Sequence, residues 1–304
     1  MISILSSILT VLCGFALAPL LLGVVNRTKA VFAGRKGQPL LQLYFDLTRL
    51  IGKGAVYSRT TSWVFRAGPI VGLAAIAIAM TLVPFGGSRG LVSFAGDFFF
   101  VAYLLGILRF LWVVAALDTG SSFEGMGASR EVAFSALAEP ALLLALTAVA
   151  WMTRSLSLSE MVGRLSWTLG PGVAPIAMVG CTLFVVFLAE NARIPVDDPN
   201  THLELTMIHE VMVLDHSGPD FAMIQYTAAL KFWLLGAILI GVLLPLEGLP
   251  MIIRLLVSVA GMFTLAVLVG IVESTMARLR LLKVPQLLAG ACALAIFALI
   301  LVVR

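Results

Sequence analysis

Apolar residues dominate the chain in runs of about 20 positions, broken by short polar gaps, and a helix of that length crosses the hydrocarbon core of a bilayer. Eight such runs lie at roughly 3–26, 64–84, 97–118, 131–152, 172–191, 221–245, 251–275 and 285–303. The alternation that marks barrel strands is absent, so each run predicts a helix. The expectation is an all-α integral membrane protein with residues 1–304 in a single transmembrane domain. The first run has no polar stop and no A-x-A-like site after it, which predicts a retained helix rather than a cleaved signal. No internal repeat is visible, which weighs against inverted-repeat transporter folds.

The first long gap carries its own rhythm. From Leu40 to Ile51, apolar residues fall at Leu40, Leu41, Leu43, Tyr44, Leu47, Leu50 and Ile51, while Asp46, Arg49 and Lys53 take the other side. This spacing predicts an amphipathic helix lying at the membrane surface.

Composition agrees with a bilayer protein. Hydrophobic residues make up 61% and charged residues 12%, with a mean hydropathy of +1.07. A soluble domain carries about 25% charged residues, so a soluble enzyme is excluded. Net charge is +4, too small to indicate a nucleic-acid partner. Cys13, Cys181 and Cys292 stand far apart in apolar runs, without metal or redox spacing.

The placement of charge says more than its sum. The gaps after the odd-numbered runs hold Arg27, Lys29, Arg35, Lys36, Arg49, Lys53, Arg59, Arg66, Arg130, Arg193, Arg278, Arg280 and Lys283. The opposite side holds only Arg89, Arg154, Arg164, Arg254 and Arg304. The positive-inside rule then predicts a multi-pass protein of the cell inner (cytoplasmic) membrane, with both termini outside. Most acids share the basic side, which reads as the functional face.

Arg109, Glu139 and Lys231 fall inside apolar runs. An ionised group at the bilayer centre costs about 2.5–3.5 kcal/mol on insertion scales, so each must face protein or water and find a partner. Lys231 is a candidate partner for Glu139, and Arg130, nine residues from it, is too far along the helix. A structural ion pair and an ion path are both open for Arg109 and Lys231, while Glu139 favours the path.

Residues 189–218 are the densest polar segment and hold all three histidines. Arg193 falls within helical reach of Glu190. Pro195 and Pro199 break the helix, and Asp198 to Thr201 offer caps for another. His202 and His209, seven apart, would share a face of that helix. A zinc-protease pattern fails because Val213 stands where histidine is needed. Histidine beside carboxylates suits a proton relay. No dinucleotide fingerprint, P-loop or cysteine cluster is present, so the chain is expected to hold no metal and no cofactor of its own.

These motifs carry a resemblance. E-N-A-R-I-P-x-D-x-P-x-x-x-x-E-L, from Glu190 to Leu205, resembles a loop of the complex I subunit 1 family. R-K-G-Q-P, from Arg35, followed by L-Q-x-Y-x-D-x-x-R-L, is similar to that family's first loop. The run from Arg109 to Glu131, Glu139-Pro140, and E-x-x-M-A-R-L-R-L from Glu273 to Leu281 resemble its hydrogenase branch. That branch includes formate hydrogenlyase subunit 4 and the membrane subunits of group 4 membrane-bound NiFe hydrogenases.

The resemblance implies a non-catalytic, eight-span subunit of an oxidoreductase complex. It would anchor a cytoplasmic arm and couple electron transfer to proton translocation. Partners would be hydrogenase large and small subunits, an iron-sulfur subunit and antiporter-like membrane subunits, with the NiFe centre and iron-sulfur clusters in those partners. The implied coupling path runs through Glu139, Glu190, Asp197, Glu204 and Asp215, which the histidines His202 and His209 and Lys231 would join. Arg193 and Arg130 would order loops, and Arg35 and Lys36 would form a docking surface. Asn200 and His202 stand where complex I has acids, which thins the carboxylate chain. The alternatives are a quinone-site subunit of a complex I-type NADH:quinone oxidoreductase and, from another class, a stand-alone ion transporter. The latter needs a midplane site of broken helices, whereas the acids here crowd one face.

Overall fold

In the computed structural model, the residues described are 2–165, 173–197, 208–244, 246 and 248–303. They form helices α1 (Ile2–Phe32), α2 (Gln42–Ile51), α3 (Trp63–Leu82), α4 (Asp97–Asp118) and α5 (Ser122–Thr153). There follow α6 (Leu158–Arg164), α7 (Val173–Glu190), α8 (Gly218–Leu243), α9 (Met251–Thr275) and α10 (Val284–Val303), with short 3-10 turns at Glu210–Val213 and Leu281–Lys283. Among the described residues, eight helical segments are long and apolar enough to cross a membrane, the last including the turn before α10. The fold is that of an all-α integral membrane protein.

The expected spans are all present, but two are longer than their apolar runs. α5 has 32 residues and starts at Ser122 rather than near 131. At 1.5 Å per residue it is about 48 Å long, well beyond a hydrocarbon core of about 30 Å. Its polar first turns stay helical because the 208–213 segment packs on them. A side chain at Gly127 would strike Val211 at 2.3 Å and the Ile208 carbonyl oxygen at 2.9 Å. α1 likewise runs on to Phe32, where Lys29 meets Glu273 of α9.

α8 is the enclosed helix of the bundle: Leu230, Lys231, Phe232, Trp233 and Leu234 are consecutive buried residues. α3 and α4 approach closely at Gly72, where a side chain would meet Leu108 at 2.8 Å and the Trp112 indole nitrogen at 3.0 Å. α1 and α9 approach at Gly270, against Thr28. Small residues at such crossings are the usual device for packing helices in lipid. The amphipathic helix of the first gap is α2, close to its expected bounds. Its Tyr44 hydroxyl donates to the Ala16 carbonyl of α1.

On the face bearing the α3–α4 and α5–α7 connections, buried Asp97 accepts from Ser157 Oγ at 2.9 Å and from the Leu158 amide at 2.6 Å. One carboxylate thus ties the start of α4 to the start of α6.

Candidate functional site: a buried charge network around Arg109

α4 carries Arg109 into the middle of the bundle, where only 8% of it is exposed. A guanidinium presents five donors in a fixed fork, so it can hold several carboxylates at once. Here it meets three. Its Nε lies 3.3 Å from Glu131 Oε1, its Nη1 donates to Glu139, and its Nη2 donates to Glu190 Oε1 at 2.6 Å. Glu131 and Glu139 stand eight residues apart on α5, about 12 Å along the axis, so the arginine spans two turns of that helix. Glu190 is the last residue of α7.

Each inner carboxylate has a second partner. Glu190 Oε2 is 3.2 Å from Lys231 Nζ on α8, and Glu131 Oε2 is 3.2 Å from His209 Nδ1. The result is a continuous line from Glu139 through Arg109 and Glu190 to Lys231, with a branch through Glu131 to His209. Glu131, Glu190 and Lys231 are buried, whereas the Glu139 side chain is 42% exposed. Glu139 also lines a cavity of about 80 Å³ between α4 and α5, together with Arg109, Glu190, Tyr103 and Leu143.

The charge count is uneven. Three carboxylates face two permanent cations, Arg109 and Lys231. One carboxylate, Glu139, is half-exposed, while the two buried ones, Glu131 and Glu190, are each held by more than one partner.

A second cluster flanks the first. The Glu273 carboxyl, wholly buried, takes Lys29 at 2.7 Å and Arg193 at 3.2 Å. Arg193 also lies over the Phe232 ring, 5.6 Å from its centroid. Asp197 pairs with Arg278 at 2.9 Å and accepts from the amides of Ile208 at 3.0 Å and His209 at 3.4 Å. His209 is therefore fixed to Asp197 by its backbone and to Glu131 by its ring. Ala192 adopts a left-handed φ of 49°, and the Arg193 amide closes onto the Leu188 carbonyl at 2.9 Å, which ends α7 and turns Arg193 toward α9.

A third group lies at the same end of the bundle. Fully buried Glu124 accepts from the Asp215 amide at 3.1 Å. His216 stacks on Phe65, with centroids 3.9 Å apart and rings 9° from parallel. Burial pushes its imidazole down to about 4.

Of the expected path residues, Glu139, Glu190, His209 and Lys231 come together, and Asp197 lies one bond from His209. Four readings are corrected. Glu139 pairs with Arg109 rather than Lys231, and Lys231 pairs with Glu190. Arg193 reaches Glu273 rather than Glu190, because the chain turns away after Ala192. The Asp215 side chain is exposed, and its amide donates to Glu124. Arg130 sits inside α5 rather than in a loop, with Nη2 2.9 Å from the Met126 sulfur. Arg35 and Lys36 are exposed. His202 and Glu204 lie outside the described residues.

Sequence reading did not single out Glu131, Lys29, Glu273 or Arg278 as parts of the site. Glu131 was hidden by the short apolar run. Extended back to Ser122, α5 places Glu131 two turns from Glu139, and that spacing is the signal. No group of three or more His, Cys, Asp or Glu among the described residues is arranged to hold a metal ion.

Residues 4–303 match the family model described as NADH dehydrogenase. Formate hydrogenlyase subunit 4 of Escherichia coli is 28% identical, with 94% of each chain covered. Hydrogenase-4 component C of Escherichia coli is 29% identical over 88% of this chain and 86% of that protein. An NADH-quinone oxidoreductase subunit of Rubrobacter xylanophilus is 30% identical, but over 61% of this chain and 56% of its own. A chain in the structure of the membrane-bound sulfane sulfur reductase, an archaeal respiratory membrane complex, shares the fold with a TM-score of 0.84. That likeness covers 99% of this chain and 100% of the other at 19% identity. With eight membrane helices, a charge network at the end of α7 and a family match over nearly its whole length, the chain belongs to the NADH dehydrogenase family of complex I subunit 1 type.

Proposed function

We propose that the chain is the coupling and anchoring membrane subunit of a hydrogenase-type respiratory complex. It joins a cytoplasmic NiFe hydrogenase arm to antiporter-like, ion-translocating membrane subunits. The observation that carries this reading is the network around Arg109, where three carboxylates meet two permanent cations deep in the bundle. One carboxylate in excess of the cations gives the network a place for a proton, and the contact of His209 with Glu131 ties it to the 208–213 segment. Similarity to two hydrogenase-type relatives over most of their lengths supports the hydrogenase arm.

In this reading the face bearing Arg193 and His209 is cytoplasmic, and both termini lie outside. Exposed Arg35 and Lys36 receive the hydrophilic arm, and Arg193 holds the docking loop through Glu273. Electron transfer in the arm shifts the loop that carries His209. A proton then passes from His209 or Glu131 through the carboxylates that flank Arg109. Arg109 and Lys231 keep their charge and set the energy of each step. Glu139, half-exposed beside its cavity, releases the proton sideways to a neighbouring membrane subunit. That exposure itself supports a partner there, because a carboxylate facing lipid is costly.

Purification of the intact complex through a tag on this chain tests the reading. The expected co-purifying proteins include a hydrogenase large subunit with two C-x-x-C pairs, and proteoliposomes of the complex should move protons or sodium ions during hydrogen turnover. A complex that holds only quinone-reducing subunits would overturn the assignment.

A further inference from the structure

On the face opposite the charge network, arginines are few, yet Arg89, Arg164 and Arg254 line one cavity of about 210 Å³. They come from separate elements: the α3–α4 connection, the end of α6 and the first turn of α9. One described carboxylate, Glu160, stands beside them, 3.2 Å from Arg164. Among the described lining residues the cations outnumber the acids.

The site is held in place rather than formed by loose side chains. Gly87 adopts a φ of +72°, and a Cβ there would lie 2.4 Å from Arg254 Cδ, so the arginine stem crosses bare backbone. Arg254 Nε donates to the Leu249 carbonyl at 2.7 Å. The Arg89 carbonyl accepts from Ser7 at 2.8 Å, and Ser159 Oγ accepts from the Gly90 amide at 2.9 Å. Ser88, also in the lining and 8% exposed, has a hydroxyl with no hydrogen-bond partner among the described residues. A buried hydroxyl without a partner is uncommon and calls for an acceptor.

The remaining wall is apolar. Ala237, Ile240, Gly241 and Leu244 of α8 and its end line it, together with Val162. Three cations and an unpaired hydroxyl on one side, and an apolar helix face on the other, suit an amphiphile with an anionic head. A water-soluble anion has no use for the α8 wall. The lining elements cluster at one end of the bundle, around the α3–α4 connection, α6, the end of α8 and the start of α9.

We propose that this cavity binds the phosphodiester headgroup of an anionic phospholipid, with its glycerol and first acyl carbons along α8. The intact complex, stripped of lipid in detergent, is titrated with phosphatidylglycerol, phosphatidylcholine or inorganic phosphate, and bound lipid is counted by native mass spectrometry. The variants are the double substitution Arg89→Gln with Arg164→Gln, both on exposed side chains, and Gly241→Leu, which fills the apolar wall. Arg254 is left intact because it also holds Leu249.

The wild-type complex is expected to retain one phosphatidylglycerol on this chain in preference to phosphatidylcholine. At about fivefold per arginine, the double variant should bind it roughly 25-fold more weakly. Gly241→Leu should abolish retention while the complex stays assembled. Equal retention of phosphatidylcholine, binding of inorganic phosphate without lipid, or unchanged lipid in both variants would overturn the proposal. So would loss of a protein subunit from the double variant with lipid binding unaltered, which would mark the surface as a protein contact.

Discussion

Arg109 Nη2 lies 2.6 Å from Oε1 of Glu190, which joins the middle of α4 to the last residue of α7. Glu190 in turn meets Lys231, so a helix end, where backbone carbonyls are already unpaired, is buried without penalty from a bare side chain. The arginine acts as a fixed counter-charge on which the arrangement of four helices depends.

Replacing Arg109 by Gln is therefore expected to damage the protein severely. It removes the cation that Glu131, Glu139 and Glu190 share, and removing one member of a buried ion pair costs about 3–5 kcal/mol. Arg109→Lys should recover part of the loss, since an ammonium restores the charge but cannot span carboxylates on α5 and α7 together. Yield of assembled complex and its thermal midpoint measure both variants. A Gln variant as stable as wild type would show that the carboxylates are neutral in the folded protein.

The spans were legible because lipid forces long apolar runs, and α2 because its polar side faces water. The deep charges Arg109, Glu139 and Lys231 were legible because they break those runs. Their pairing was not, since it depends on the rotation and depth of separate helices. Glu131 escaped because residues 122–130 are polar yet helical, held by packing against 208–213 rather than by lipid. The Glu190–Arg193 pairing failed for a local reason: the left-handed Ala192 redirects the chain. Spacing along a sequence cannot reveal that turn without glycine as a cue.

The close contact at Gly127 offers a test that alters no charge. A side chain there collides with Val211 and the Ile208 carbonyl, next to the residue that pairs with Glu131. Gly127→Val is expected to push the 208–213 segment from α5 and separate His209 from Glu131. Proton uptake per electron should fall about as far as in His209→Gln, with the metal content of partner subunits unchanged. If Gly127→Val left that ratio intact while His209→Gln lowered it, the packing route from loop to network would be wrong.

His216 gives a pH signature. Its pKa is lowered from the ordinary 6.5 to about 4 by burial against Phe65, and it lies before the start of α8, outside the spans. The unfolded chain then binds more protons than the folded one between those values, so stability rises with pH there. The contribution is complete above about 6.5 and is lost as pH falls toward 4, amounting to about 3 kcal/mol. His216→Phe keeps the stacking and is expected to flatten the stability profile between those limits. Denaturant unfolding of both proteins across that range checks it, and parallel profiles would refute it.

Glu139→Gln tests the network where it reaches the periphery. Arg109 keeps Glu131 and Glu190 in the variant, so the fold loses one contact of three and the complex should assemble. The charge count changes more than the packing does. With glutamine at 139, two carboxylates face two cations, and the carboxylate that reaches the periphery is gone. An amide cannot take up and release a proton as a carboxylate does, so the relay would stop at this position. If the redox centres lie in partner subunits, as proposed, hydrogen or donor turnover should remain partly intact while protons moved per electron fall several-fold. If Glu139 only braces the helices, the substitution should cost assembly or nothing. Proteoliposome uptake normalised to electron turnover separates these cases, and an unchanged ratio in an assembled variant would remove Glu139 from the path.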